Sequence, residues 1–169
     1  MADDPYIEFF FGAGQDVPQL ETLEIRQVSF SQVWYLQSHY REGFWARLET
    51  GEQAFFIYAP MAMRALAERG NLDFGLAVTL GDLGEILPDE IQRAREAGTW
   101  RSSPPRVTYR SYRGDDLERP MFGPIVLQAR EITRNDDGAQ FNATAPELNV
   151  SKTGELYRID RFPMLAGFL

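Results

Sequence analysis

Three short runs late in the chain, residues 106–113, 123–132 and 139–145, alternate apolar with polar side chains and are divided by Gly- and Asp-rich breaks at 114–117 and 135–138. A period of two suits a pleated strand with one face on a core. Glycine and aspartate at the breaks supply the conformations and local hydrogen bonds of tight turns. These features predict consecutive antiparallel strands, with the other face free for water or a neighbouring subunit.

The same pattern recurs upstream. Residues 22–30 alternate through Leu23 and Ile25 and, after a slip, Val28 and Phe30, which predicts a strand with a bulge or bend. Residues 33–36, 44–48 and 53–58 extend the series, with 49–52 as a hairpin turn, so the first half reads as a β-meander. Residues 60–70 are ambiguous: their Ala, Met, Leu and Glu content favours helix, while their place between strands favours an extended segment. A strand at 72–80 should turn Leu72, Phe74, Leu76, Val78 and Leu80 inward. One helix is predicted at 88–97, with Pro88, Asp89 and Glu90 in its first turn, Arg93 and Arg95 later, and Gly98 past its end. The predicted fold class is mainly β (α+β), an antiparallel β-sandwich or barrel with one short helix.

At 169 residues, 44% of them hydrophobic, the chain can bury a core without disulfides. Aromatic residues make up 13% and favour strands and interfaces over a helical bundle. Cysteine is absent, which removes disulfides, thiolate metal sites and cysteine nucleophiles. No signal-peptide pattern and no apolar span of roughly 20 residues occurs, so a soluble protein without membrane insertion is expected. A net charge of −8 argues against specific nucleic-acid binding, because phosphate contacts need a basic surface. It is compatible with an acidic lumen that DNA slides past without sticking. Lys152 is the sole lysine among 17 basic residues. Arginine suits interface ion pairs, and codon bias in a GC-rich genome would produce the same count.

Candidate chemistry is sparse. Gly12 and Gly14 after an apolar run suggest the start of a dinucleotide-binding turn, but the third glycine is missing and Pro18 stands where a helix should run, so a plain turn is the expectation. His39 is the only histidine and has neither metal-ligand partners nor a nucleophile motif around it. The carboxylate pairs Asp115–Asp116 and Asp136–Asp137 lie beside glycines and read as turn caps. Asn142 and Asn149 match glycosylation acceptors that lack a secretory signal. The expectation is therefore a non-enzyme with no catalytic residues, no cofactor and no metal.

The chain divides into an N-terminal arm (1–21), a β-rich domain (22–148) and an extended C-terminal tail (149–169). Phe9, Phe10 and Phe11 form an apolar run in the arm, which either adds to a neighbour's sheet edge or makes an edge strand of its own domain. Burial of the three rings would contribute roughly 5–8 kcal/mol before ordering costs. In the tail, Tyr157, Arg161, Phe162, Pro163 and Phe168 are the candidate partner interface, with a tail folded back on its own domain as the alternative.

The ordered set of Thr22 to Ile25 with Ser29 and Phe30, residues 47–52, 73–80 leading into the Ile91 helix, 107–112 with Asp115 and Asp116, 123–127, and the terminal Tyr157, Arg161, Phe162, Pro163 and Leu165 resembles small tail-tip proteins of long-tailed bacteriophages and prophages. The resemblance implies a tail-tube-like or distal-tail-like domain of the baseplate hub region. It further implies a virion structural protein, made in the bacterial host cytoplasm, that forms a homo-oligomeric ring, hexameric rather than trimeric. Its partners would be the tail tube, hub and tape measure proteins. The chain departs from that pattern at 151–155, after Asn149, and in the helix-prone run before Leu72. The alternative is a β-sandwich binding module that recognises host glycans through exposed aromatics, with Trp34, Trp45 and Trp100 as its candidates.

Overall fold

A computed structural model of the chain describes residues 17–66, 75–81, 86–135 and 138–145. Its strands are β1 (Gln19–Arg26), β2 (Trp34–Gln37), β3 (Phe44–Arg47), β4 (Gln53–Tyr58), β5 (Met61–Ala65), β6 (Gly75–Leu80), β7 (Arg106–Arg113), β8 (Phe122–Asn135) and β9 (Gly138–Thr144), and its helix is α1 (Ile86–Glu96). The described residues are mainly β with one short helix, as the alternation predicts. The strands form one mixed sheet in the order β3-β4-β2-β1-β7-β8-β9-β6-β5.

The late runs pair as expected, β7 with β8 and β8 with β9, all antiparallel. A register shift between Tyr109 and Ser111 leaves Gly123 and Pro124 outside the regular ladder, where a missing amide proton does least harm. Residues 61–65 are strand: β5 pairs antiparallel with β6 from Met61↔Leu80 to Ala65↔Leu76, so tertiary pairing overrides helix propensity. Leu76, Val78 and Leu80 turn inward as predicted, while Leu72 and Phe74 lie outside the described residues. Helix α1 carries Asp89 in its first turn and Arg93 and Arg95 in its last. It is terminated two residues past Glu96 by Gly98, whose φ of +69° suits glycine and whose amide donates to the Arg95 carbonyl at 3.0 Å.

Two expectations are corrected. The first half is not a meander, because β4 lies between β3 and β2 and pairs with β2 in parallel through Leu36↔Ile57 and Gln37↔Tyr58. The 49–52 turn folds β3 onto β4 as a local hairpin, and it is the returning strand of that hairpin that reaches β2. Strand β1 also ends at Arg26 rather than bending on to Phe30. The Gln27 side-chain carbonyl accepts from the Ser29 amide at 2.6 Å and the Phe30 amide donates to the Gln27 carbonyl, so the ladder gives way to a turn with Val28 74% exposed. At its other end β1 begins at Gln19, inside the span read as an arm.

Strands β1 and β7 have a core on each face. On one face Leu23, Ile25, Val107 and Tyr109 join Leu36 and Leu127 and meet Leu76, Val78, Leu80 and Phe141 from the other end of the sheet, which curls over them. On the opposite face Leu20 and Tyr112 are covered by Ala46, Leu48, Ala54 and Phe56 of the β3–β4 hairpin. Each fully buried Leu, Val or Phe contributes about 1.5–3 kcal/mol.

Candidate functional site

The β3–β4 hairpin presents the clearest candidate surface. Along it Phe44, Ala46, Ala54 and Phe56 turn toward the sheet, which leaves Trp45 and Phe55 facing outward. These two are direct cross-strand partners, with ring centroids 5.3 Å apart and planes at 51°. Trp45 is 61% exposed, so a large apolar ring is held in place without being buried. Gly43 makes room for its neighbour: its φ is +74°, and a Cβ there would come within 2.6 Å of Phe55 Cζ.

Aromatic packing and a buried charge network hold the hairpin to the sheet. Phe44 stacks on Phe56 at 5.5 Å, and Phe56 meets Tyr112 edge-on at 5.9 Å and Tyr35 at 5.4 Å. The Tyr112 hydroxyl donates to the Arg47 carbonyl at 3.1 Å. Beside these rings lies Arg110 of β7, only 3% exposed. Its Nε and Nη2 donate to the two carboxylate oxygens of Glu49, in the hairpin turn, at 2.7 and 2.8 Å. Its Nη1 is ion-paired at 2.7 Å with Glu24 of β1, which is 1% exposed, and Glu24 also binds Arg26.

Burial opposes the positive charge on Arg110, but the bonds it donates to Glu49 and Glu24 outweigh that and raise the guanidinium above its ordinary range. The Arg110 bond holds the Glu49 carboxyl below its usual value. Burial pushes the Tyr112 phenol well up, and burial with the Glu24 charge raises Tyr35. A forked arginine between two carboxylates fixes direction as well as distance, so the network sets how the hairpin lies on the sheet.

Of the residues predicted to form an interface, Phe9, Phe10, Phe11, Tyr157, Arg161, Phe162, Pro163 and Phe168 lie outside the described residues. His39 is exposed in a turn, where its amide donates to the Gln37 side chain at 2.7 Å. Asp115 accepts a forked pair from Arg113 at 2.9 and 3.0 Å, and Asp116 accepts from the Glu118 amide at 3.0 Å, which are turn roles. The Asp136–Asp137 pair is outside the described residues. Among the glycan candidates, Trp34 packs on the main core, Trp100 is half-buried with the Arg95 guanidinium 5.8 Å from its ring centre, and Trp45 alone stands clear.

Sequence reasoning named Trp45 but missed its partner. The signal was available, because a hairpin closed at 49–52 places Trp45 opposite Phe55. Glu24, Glu49 and Arg110 carried no such signal, being ordinary polar members of alternating strands and a turn. Among the described residues no three His, Asp or Glu side chains gather as a metal site, and no helix is long and apolar enough to cross a membrane. No protein-family model matches the chain, and no curated protein matches it significantly.

Proposed function

We propose that this chain is a structural tail-tip subunit of a long-tailed phage or prophage, assembled into a homo-oligomeric ring that joins the tail tube to the distal tip and hub. The observation that carries the reading is the exposed Trp45–Phe55 pair on a hairpin locked from beneath by Arg110 and Glu49. A rigid aromatic anchor of this kind suits the centre of a protein interface, where aromatic rings contribute most of the binding energy. The ordered resemblance to tail-tip proteins and the mainly β fold support the same reading.

Light scattering and negative-stain microscopy of the purified chain test it. A closed ring, hexameric in the favoured case, should form, and Trp45→Ser with Phe55→Ser should reduce it to folded monomers. A chain that stays monomeric at every concentration, or a ring indifferent to both substitutions, would refute the reading.

The second reading is a glycan-binding module, favoured by the same exposed indole, since an open aromatic face can stack on a sugar ring. Sugar-dependent quenching of Trp45 fluorescence in a monomer would select it over the ring.

A further inference from the structure

At the end of the sheet face that carries Arg110, Arg26 of β1 stands directly opposite Arg106 of β7, and Gln128 of β8 is the next residue in register. Like charges placed directly across a strand pair repel. Glu24 compensates Arg26, but the same carboxylate also serves the buried Arg110. The guanidiniums of Arg110 and Arg26 share the Glu24 carboxylate, and Arg110 also takes Glu49, so neither acid pairs with Arg106. No ion pair or hydrogen bond reaches the Arg106 guanidinium among the described residues.

A groove of about 450 Å³ opens beside this pair. That volume falls in the roughly 300–1,000 Å³ range of small-molecule sites. Arg26, Arg106, Gln128 and Ser103 line it with polar groups, and Val28 and Val33 line it with apolar ones. Its walls are held before any ligand arrives. The Gln27 amide donates to Thr99 Oγ1 at 2.8 Å and to the Ser103 carbonyl at 3.2 Å, and the Ser31 amide donates to the buried Glu90 carboxylate at 2.8 Å. The Ser103 hydroxyl and the Gln128 side-chain amide have no hydrogen-bond partner among the described residues.

We propose that this groove binds a small hydroxylated carboxylate of the acidic-sugar class. Its carboxylate sits between Arg106 and Arg26 and relieves their repulsion, because a guanidinium pairs with a carboxylate through two parallel hydrogen bonds. Its hydroxyls meet Gln128 and Ser103, and its C–H face lies on Val28 and Val33. The exposed and unpaired Arg106 guanidinium is free to take an anion, and the mixture of neutral polar and apolar walls suits a sugar acid better than a bare ion. The site is separate from the Trp45–Phe55 surface and does not depend on the assembly reading.

Calorimetric titration of the intact chain with glucuronate, glucose, acetate and sulfate tests the proposal. Glucuronate should bind saturably, with the other three about tenfold weaker or more. Arg106→Ala should weaken glucuronate by about tenfold or more, the loss expected for a charged hydrogen-bonded contact. Without ligand the same variant should melt at the parent temperature or slightly above it, since a like-charge contact has been removed. That pairing of lost affinity with undiminished stability separates a ligand-binding arginine from a structural one. Acetate or sulfate equal to glucuronate would reduce the site to a bare anion spot and overturn the proposal. So would glucose equal to glucuronate, the absence of saturable binding, or an unchanged affinity in Arg106→Ala.

Discussion

The two faces of the β1–β7 strand pair are built by opposite means. One carries Leu23, Ile25, Val107 and Tyr109 and is sealed by the curled sheet, while the other carries Thr22, Glu24, Thr108 and Arg110 and is sealed by a hairpin. Both are buried. An apolar face needs only shape and volume to be stable, so many rearrangements of its cover would serve nearly as well. A buried ion network tolerates only arrangements that satisfy each charge, and it contributes little net stability for that constraint. The contrast suggests that the charged face holds one particular placement of the hairpin, and with it of Trp45 and Phe55, while the apolar face supplies most of the folding energy.

The largest expected effect breaks the charged face. Arg110→Ala strands Glu24 without its buried partner and should cost about 3–5 kcal/mol in urea unfolding. Replacing Arg110, Glu24 and Glu49 together by Met, Leu and Leu should recover most of that loss. If the triple variant were as unstable as the single one, the network would be a net source of stability and the contrast would fail.

On the apolar face, Leu127→Ala should cost about 2–5 kcal/mol, with no compensating partner change able to restore it short of refilling the cavity. The same unfolding experiment measures it. A loss below about 1 kcal/mol would mean that the curled sheet does not seal this face.

The faces should also differ in their response to pH. Glu49 has its folded-state value below the ordinary 4.5, so its bond to Arg110 contributes stability above that value, and the contribution is lost as pH falls through the lower folded value. Tyr112 has its folded-state value above the ordinary 10.0, so its contribution is present below pH 10 and is lost as the pH rises beyond it. Glu49→Gln should flatten the acid limb of a stability–pH profile, and Tyr112→Phe the alkaline limb. Leu127→Ala should lower the whole curve without changing its shape.

The smallest effect on stability is expected at Trp45. Because the ring is largely exposed, Trp45→Ser should change unfolding free energy by about 0.5 kcal/mol or less. Any assembly that uses the hairpin should nevertheless be lost, as sedimentation would reveal. A stability loss of several kcal/mol would show that the indole belongs to the core rather than to a surface.

Secondary structure was largely legible from the chain. Residues 53–58 and 106–113 are strands because their alternation is local, and the helix stops just before Gly98 because its terminating signals are local too. The candidate site was only half legible. Trp45 could be named, and its pairing with Phe55 followed from the turn, but residues 1–16 and 146–169, which held the predicted interface, lie outside the described residues.

The sequence by itself determined most of the extended segments and turns, and that the described residues are mainly β with one helix, because period and turn chemistry act over a few residues. Only the tertiary structure decided that β4 lies beside β2 in parallel, that residues 61–65 join a sheet edge, and that Glu24 and Arg110 lie inside rather than in water. Alternation marks two faces of a strand, but whether the polar face meets solvent depends on what folds over it. Here that cover is a hairpin whose Glu49 comes from 61 residues away in the chain, a distance over which no local pattern carries information.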